Sequence, residues 1–151
     1  MIKKTHLAIG LSIGLYFLPF VTYKFWFIPV ILIASVLPDI DSASSSIGRK
    51  SIFRPAQIFL THRGPLHSYT VCVAISLVFA FFLPIFALPF FLGYSFHLFA
   101  DSFTINGIKP FWPWRFESSG IVRTGGMIDR TLFVTFIVID LFLLIVLFIG
   151  G

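Results

Sequence analysis

Charged residues are scarce in this chain. Only 11% of its 151 residues are Asp, Glu, Lys or Arg, whereas 58% are hydrophobic. An ordinary soluble domain is about one quarter charged. The composition therefore excludes that class. We interpret residues 1–151 as one integral-membrane domain whose apolar side chains face lipid or one another.

Cysteine and acidic residues are also nearly missing. Cys72 is the single cysteine, which excludes an internal disulfide and every zinc motif built on several thiolates. The formal net charge is +5, because Lys and Arg outnumber Asp and Glu by 11 to 6. Since these basic residues flank apolar runs, we attribute them to membrane topology and to anionic lipid. We expect no nucleic-acid partner, and the oligomeric state stays open.

Apolar runs predict an all-α, polytopic helical bundle with about five membrane-embedded helices. A crossing helix needs roughly 20 residues, and the second run is short by that measure. No small-residue cleavage pattern follows the first run, so we expect a retained helix and not a signal peptide. Gly64 is expected to cap the third helix, with Pro65 in its first position. The five runs are Leu7–Tyr23, Phe25–Leu37, Pro65–Leu83, Pro84–Phe103 and Leu132–Ile149.

The basic residues predict the orientation of this bundle. If all five helices cross, the N-terminus and the loops 39–64 and 104–130 lie on one side. Every Lys and Arg except Lys24 then falls on that side. Short loops rich in Lys and Arg stay in the cytoplasm. The chain is therefore predicted to be a multi-pass protein of the inner or plasma membrane with a cytoplasmic N-terminus.

Histidine and aspartate residues gather at the cytoplasmic edge of the predicted helices. His97 and Asp101 are spaced i, i+4 and share one helix face. Taken alone, His97 is more often an interhelical hydrogen bonder, and Asp39 and Asp41 are as often loop caps as ligands. Together the set favours a metal site. Imidazole and carboxylate without thiolate suit zinc first, then manganese or iron, as one or two divalent ions. The predicted ligands are His6, Asp39, Asp41, His62, His67, His97 and Asp101.

Several short motifs, in a fixed order, carry a family resemblance. They are Thr5-His6, the run from Leu37 to Ser42, His62-Arg63-Gly64 with His67-Ser68, Gly93-Tyr94 with His97 and Asp101, and Pro110 with Trp112-Pro113. With them the chain resembles the membrane-bound metal-dependent hydrolases, also described as LexA-binding, inner-membrane-associated hydrolases. That family's helical His/Asp arrangement is distantly similar to zinc-dependent phospholipases C and single-strand nucleases. Two positions differ from the pattern of that family: Leu66 stands where threonine is expected, and Asp129 stands where glutamate is expected.

The resemblance implies an enzyme. A metal-bound hydroxide would attack a phosphoester, or another ester, of a lipid or lipid-linked substrate at headgroup depth. Asp41 would be a further ligand or general base, Arg63 would hold phosphate, and Asp129 would either join the site or cap the last helix. Two alternatives remain. One is a metal or proton transporter, which the position at one membrane edge disfavours. The other is a membrane anchor or regulatory protein with a structural metal.

Overall fold

The computed structural model describes residues 1–41 and 64–150. Within these ranges the fold is all-α, as predicted, and it contains no β-strand. Two isolated bridges, Thr104 with Val122 and Ile108 with Ser118, tie together the segment between the last two helices. The five α-helices of this part of the chain are α1 (Lys3–Phe17), α2 (Lys24–Ala34), α3 (Tyr69–Phe82), α4 (Pro84–Ser102) and α5 (Met127–Gly150).

Helix α4 is the centre of the bundle. It packs against α1, α2 and α3, whereas α5 packs along α1. Tyr94 and Leu98 of α4 are fully buried against Ala34 of α2 and Cys72 of α3. Cys72 is thus a packing residue, as its apolar surroundings predict. Because α4 contacts three other helices, its last turns lie where several chain segments can deliver side chains.

Helix lengths do not confirm the prediction of five crossings. Only α4 and α5, of 19 and 24 residues, are long and apolar enough to cross a membrane among the described helices. Helices α1 and α2 have 15 and 11 residues, so they are about 22 and 16 Å long at 1.5 Å per residue. The hydrocarbon core is about 30 Å thick. The helical bundle is confirmed, but five crossings are not.

The start of α3 also differs from the prediction. Pro65–His67 form a separate 3-10 turn, and α3 begins at Tyr69. Ser68, not Gly64, is the N-cap, because its hydroxyl accepts a hydrogen bond from the Val71 N–H at 3.3 Å. A serine side chain satisfies one of the free N–H groups at a helix start, which glycine cannot do. His67 therefore lies in the turn before α3 and not in its first helical turn.

Helix α5 begins five residues before the predicted Leu132. Its first turn contains Asp129 and Arg130, which an apolar-run criterion leaves out. Gly125 precedes the helix with a φ of +73°, a conformation that favours glycine. The Gly125 N–H donates to the Asp129 carboxylate at 2.8 Å. This local hydrogen bond, and not hydropathy, sets where the helix starts.

Gly93 allows α4 to approach α2 closely, and we expect Gly93→Ala to destabilise the bundle. A Cβ built at Gly93 would lie 2.4 Å from the Ile31 carbonyl oxygen and 2.9 Å from the Ala34 Cβ. Alanine gains up to about 1 kcal/mol of helix propensity, but overpacking against backbone costs about 1–3 kcal/mol. The cost of overpacking should therefore exceed the gain in helix propensity. Unfolding in detergent measures the difference. Gly150→Ala, which meets no atom within 4 Å, is the control, and equal stability of the two variants would contradict the expectation.

Candidate metal centre

Five of the seven predicted ligands come together in the structure. Among the described residues they form two groups of possible metal ligands that share His97. The ligand atoms within each group lie within 4.8 Å of one another. His62 and Arg63, and the side chain of Asp41, lie outside what the structure describes. The two groups are His6, Asp39 and His97, and His67, His97 and Asp101.

Four separate chain segments deliver these side chains. His6 lies in the first turns of α1, and Asp39 lies in the 3-10 turn Pro38–Asp41 that follows α2. His67 comes from the 3-10 turn before α3, and His97 and Asp101 come from the end of α4. The three histidines and Asp101 are at most 1% exposed. Such burial of polar groups is costly unless partners compensate it, so the cluster requires a compensating interaction.

Asp101 is the centre of the cluster. Its Oδ1 lies 3.3 Å from Nε2 of His6, and its Oδ2 lies 3.8 Å from Nε2 of His67 and 3.8 Å from Nε2 of His97. The rings of His6 and His97 stack, with centroids 3.9 Å apart. The N-terminal ammonium of Met1 also contacts Oδ1 of Asp101. The carboxylate thus collects three imidazoles and one positive charge in a site closed to solvent.

The tautomer of His97 follows from its partner. Nδ1 of His97 lies 2.8 Å from the Ser35 carbonyl oxygen. A carbonyl only accepts, so Nδ1 carries the hydrogen, and Nε2 of the neutral ring is left with a lone pair. A backbone carbonyl on one ring nitrogen is the usual arrangement behind a metal-bound histidine. The ring is thereby oriented with its free nitrogen towards Asp101.

The ring nitrogens that are buried without a hydrogen bond in the described part of the chain include Nε2 of His97 and Nδ1 of His6. Buried nitrogens of this kind normally find a partner. The His97 nitrogen bears a lone pair and lies 3.8 Å from a carboxylate oxygen, and two acceptors at that distance repel each other. A cation between them would remove the conflict. The donor set therefore fits a divalent metal ion.

Asp39 adds a second carboxylate at the edge of the cluster. It is the most exposed of the five converging residues. Burial raises the pKa of the Asp39 carboxyl above its usual value, and the negative charge of Asp101 raises it further, while His6 and His67 act in the opposite direction. The raised pKa means that its environment penalises the charged form. A cation held by His6, Asp39 and His97 would offset this penalty.

Asp129 is buried but lies outside both groups. Its carboxylate accepts hydrogen bonds from the Ile2 N–H at 2.9 Å, the Thr5 hydroxyl at 2.7 Å and the Gly125 N–H at 2.8 Å. Since Thr5 precedes His6, these bonds hold the start of α1 that carries His6. The predicted direct role of Asp129 in catalysis stays a prediction, and the contacts favour a structural role at the N-terminus of α5.

Other supporting contacts were not foreseen from the sequence. The Tyr94 hydroxyl donates to the Leu66 carbonyl at 2.6 Å and so fixes the turn that carries His67. The Thr104 hydroxyl donates to the Asp101 carbonyl at 2.7 Å. Both partners are backbone oxygens, for which side-chain identity gives no signal. Asp140 accepts a hydrogen bond from Ser12 and so links α5 to α1.

Comparison with known proteins identifies the family. The family model described as YdjM inner membrane protein matches residues 1–150. The chain belongs to the YdjM inner membrane protein family. Inner membrane protein YdjM of Escherichia coli (strain K12) is 33% identical over 115 residues, and so is that of Shigella flexneri. The match covers 68% of this chain but 59% of those relatives. No solved structure matches the chain.

Family membership establishes the broad class. Members of the YdjM family are inner membrane proteins, which agrees with the apolar composition and with two helices long enough to cross a bilayer. The predicted association with a lipid bilayer is thus confirmed. The likeness to metal-dependent hydrolases and phospholipases, the reaction and the metal are finer statements, and they stay predictions.

Proposed function

We propose that this protein is a metal-dependent hydrolase that cleaves a phosphoester of a lipid or lipid-linked substrate at the cytoplasmic edge of the inner membrane. One observation carries the proposal: Nε2 of His97 is oriented by the Ser35 carbonyl towards the carboxylate of Asp101 in a buried cluster. A cation between them would stabilise both this lone-pair nitrogen and the carboxylate. A merely structural hydrogen bond would not orient two acceptors towards each other.

The residues of the chain have distinct parts in this proposal. His67, His97 and Asp101 would hold one divalent ion, or His6, Asp39 and His97 would hold it. Because Nδ1 of His97 faces the Ser35 carbonyl, its Nε2 can serve only one ion at a time, and a second ion would have to rely on the other residues. When bound, such an ion supplies an acidified water and polarises a phosphoryl oxygen. Zinc is the first candidate, and manganese and iron are also compatible with imidazole and carboxylate. Asp41 as general base and Arg63 as phosphate ligand remain part of the prediction.

The position of the cluster favours a lipid substrate. Asp101 lies in the last turn of α4, a helix long enough to cross the bilayer. Polar residues at the end of such a helix lie near the lipid headgroups. A phosphoester in a headgroup would reach this depth without leaving the membrane. A soluble substrate would have to enter the interface first.

Metal dependence is the first test of this function. We expect purified protein to contain zinc, manganese or iron near stoichiometric amounts, and to release phosphate or a headgroup from vesicles that contain phosphatidic acid or phosphatidylglycerol. A chelator should abolish release and the added metal should restore it, because the ion supplies the nucleophile. Mass spectrometry measures the metal content, and a phosphate or headgroup assay measures release. Full activity in metal-free protein would contradict the proposal.

The same experiment separates the alternatives. Bound metal without hydrolysis, together with unfolding on metal removal, would favour an anchor or regulatory protein with a structural metal, since ligands from four segments would be tied by the ion. Metal uptake into sealed vesicles would favour a transporter. Neither alternative is better supported than hydrolysis by the position of the cluster at one end of the bundle.

We also propose the cytoplasmic orientation, and labelling of new cysteines tests it. In a Cys72→Ser background, Lys24→Cys is expected to react with a membrane-impermeant maleimide added outside the inner membrane, whereas Lys4→Cys is expected to react only after permeabilisation. The reason is that Lys24 is the first residue of α2, beyond the end of α1 that is opposite Lys4. Equal labelling of both positions would show that α1 and α2 do not cross as a pair.

A further inference from the structure

An apolar groove of about 620 Å³ runs beside the His/Asp cluster. Three helices and the segment 120–122 form its walls, and no polar side chain lines it among the described residues. Representative wall residues are Ile9 and Ile13 of α1, Phe96 and Ala100 of α4, and Leu132 and Phe136 of α5. Its size lies within the range of about 300–1,000 Å³ that is usual for ligand pockets.

The groove reaches the cluster on one side. Ala100 lies in its wall and is the neighbour in sequence of Asp101, whose carboxylate is the centre of the cluster. Met1 lines the groove while its ammonium contacts Asp101. The apolar surface and the candidate metal ligands are therefore separated by a single layer of residues.

A polar pocket of about 440 Å³ adjoins the groove at Val122, which lines both. Asn106, Arg123 and Thr124 line this second pocket. The backbone of Val122 is bonded to the residues just after Asp101: its N–H donates to the Phe103 carbonyl, and its carbonyl accepts from the Ile105 N–H. An exposed guanidinium is thus attached to the end of α4 that carries the cluster.

We propose that the groove holds an acyl chain of a phosphate-bearing lipid whose phosphate contacts Arg123 at the cluster end. Two observations favour a phosphate-bearing lipid as the ligand of the groove. Two of its walls belong to α4 and α5, the helices long enough to cross the bilayer, so the medium beside these helices is acyl chains. At Val122 the groove adjoins the pocket that Arg123 lines, and arginine pairs readily with phosphate. The inference rests on the proposed function, because it makes this lipid the substrate.

The acyl chain would bind the groove through its shape and not through the hydrophobic effect. An acyl chain in the bilayer is already out of water, so its transfer into the groove gains little from apolar burial. The phosphate contact must then supply the selectivity, at about 1.5–3 kcal/mol for a charge-assisted hydrogen bond. This corresponds to a preference of about tenfold or more for a phosphate-bearing lipid over its uncharged counterpart.

Photocrosslinking of the intact protein in vesicles tests the proposal without relying on activity. One vesicle contains the phosphonate analogue of phosphatidic acid, which resists hydrolysis, with a diazirine on one acyl chain; the other contains diacylglycerol with the same chain. We expect the phosphonate lipid to label groove residues about tenfold more. Leu132→Trp should abolish this labelling by filling the groove, whereas Ile145→Trp, on an exposed part of α5, should not. Equal labelling by both lipids would overturn the proposal.

The failure of this proposal is distinguishable from failure of the hydrolase. Selective labelling without hydrolysis in the metal-dependence assay would support the proposed lipid site and contradict the proposed reaction. If Leu132→Trp leaves hydrolysis unchanged and both lipids label the groove equally, the proposed reaction is supported and the proposed acyl-chain site is contradicted. A protein labelled along all its exposed apolar faces alike would show annular lipid only, and would overturn the assigned acyl site.

Discussion

Protein carrying His97→Gln is expected to lose most of its bound metal. His97 belongs to both groups of ligands, so its removal would weaken either ion site. Loss even of a residue that merely orients a ligand lowers metal affinity by about 10–100-fold, and loss of a ligand shared by two groups should cost at least the upper value. Titration of metal-free protein with zinc, together with mass spectrometry, measures the change.

Glutamine separates ligation from folding better than alanine does. Its side chain leaves a smaller cavity than alanine and keeps a polar amide in the buried site of His97. Phe99→Ala, at an exposed position of the same helix, is the matched control and should retain the metal. A folded His97→Gln protein with the metal content of the unchanged protein would disprove the assignment of His97 as a ligand.

The position of the cluster was predictable because helix ends are predictable in a very apolar chain. His97 and Asp101 share a helix face by their spacing, and both lie where α4 ends at Ser102, one residue before the predicted Phe103. His6 and Asp39 flank α1 and α2 for the same reason. Hydropathy locates such edges well, since apolar runs and prolines delimit them.

The other features of the fold and of the site depend on specific hydrogen bonds, which hydropathy does not reveal. His97 is oriented by a backbone carbonyl 62 residues away, and Ser68 rather than Gly64 starts α3 because a hydroxyl can cap its free N–H groups. The number of crossings stays a prediction for a related reason: the apolar run Phe25–Leu37 forms the 11-residue helix α2, which ends before the 3-10 turn Pro38–Asp41. Composition measures apolarity, whereas helix length depends on where the backbone turns.

Asp129→Asn is expected to lower the free energy of unfolding by about 3 kcal/mol and to weaken metal binding at the same time. The carboxylate now accepts three hydrogen bonds, from Ile2, Thr5 and Gly125, and each bond to a charged acceptor is worth about 1.5–3 kcal/mol. In asparagine an amide nitrogen replaces one carboxylate oxygen and cannot accept the bond that this oxygen received, and the remaining bonds lose their charged acceptor. The negative charge also stabilises the N-terminus of α5 by about 0.3–1 kcal/mol.

Metal affinity should fall because the lost hydrogen bonds hold Thr5, the residue before His6. Freed from Asp129, Thr5 and Ile2 no longer fix the start of α1, and His6 loses its orientation towards Asp101, from which it lies 3.3 Å away. Unfolding in detergent and zinc titration of one preparation measure both effects. Asp140→Asn is the matched control, because this buried carboxylate of the same helix contacts Ser12 and lies outside both ligand groups.

The combination of the two readouts separates the two roles of Asp129. A residue that acts directly on the substrate would, when changed to asparagine, leave stability and zinc affinity intact while hydrolysis falls. A residue that acts through α1 would lower all three together, because His6 moves with the helix start. The three hydrogen bonds of its carboxylate to α1 and Gly125 favour the second result. Intact stability and metal binding with lost hydrolysis would restore Asp129 as a catalytic residue.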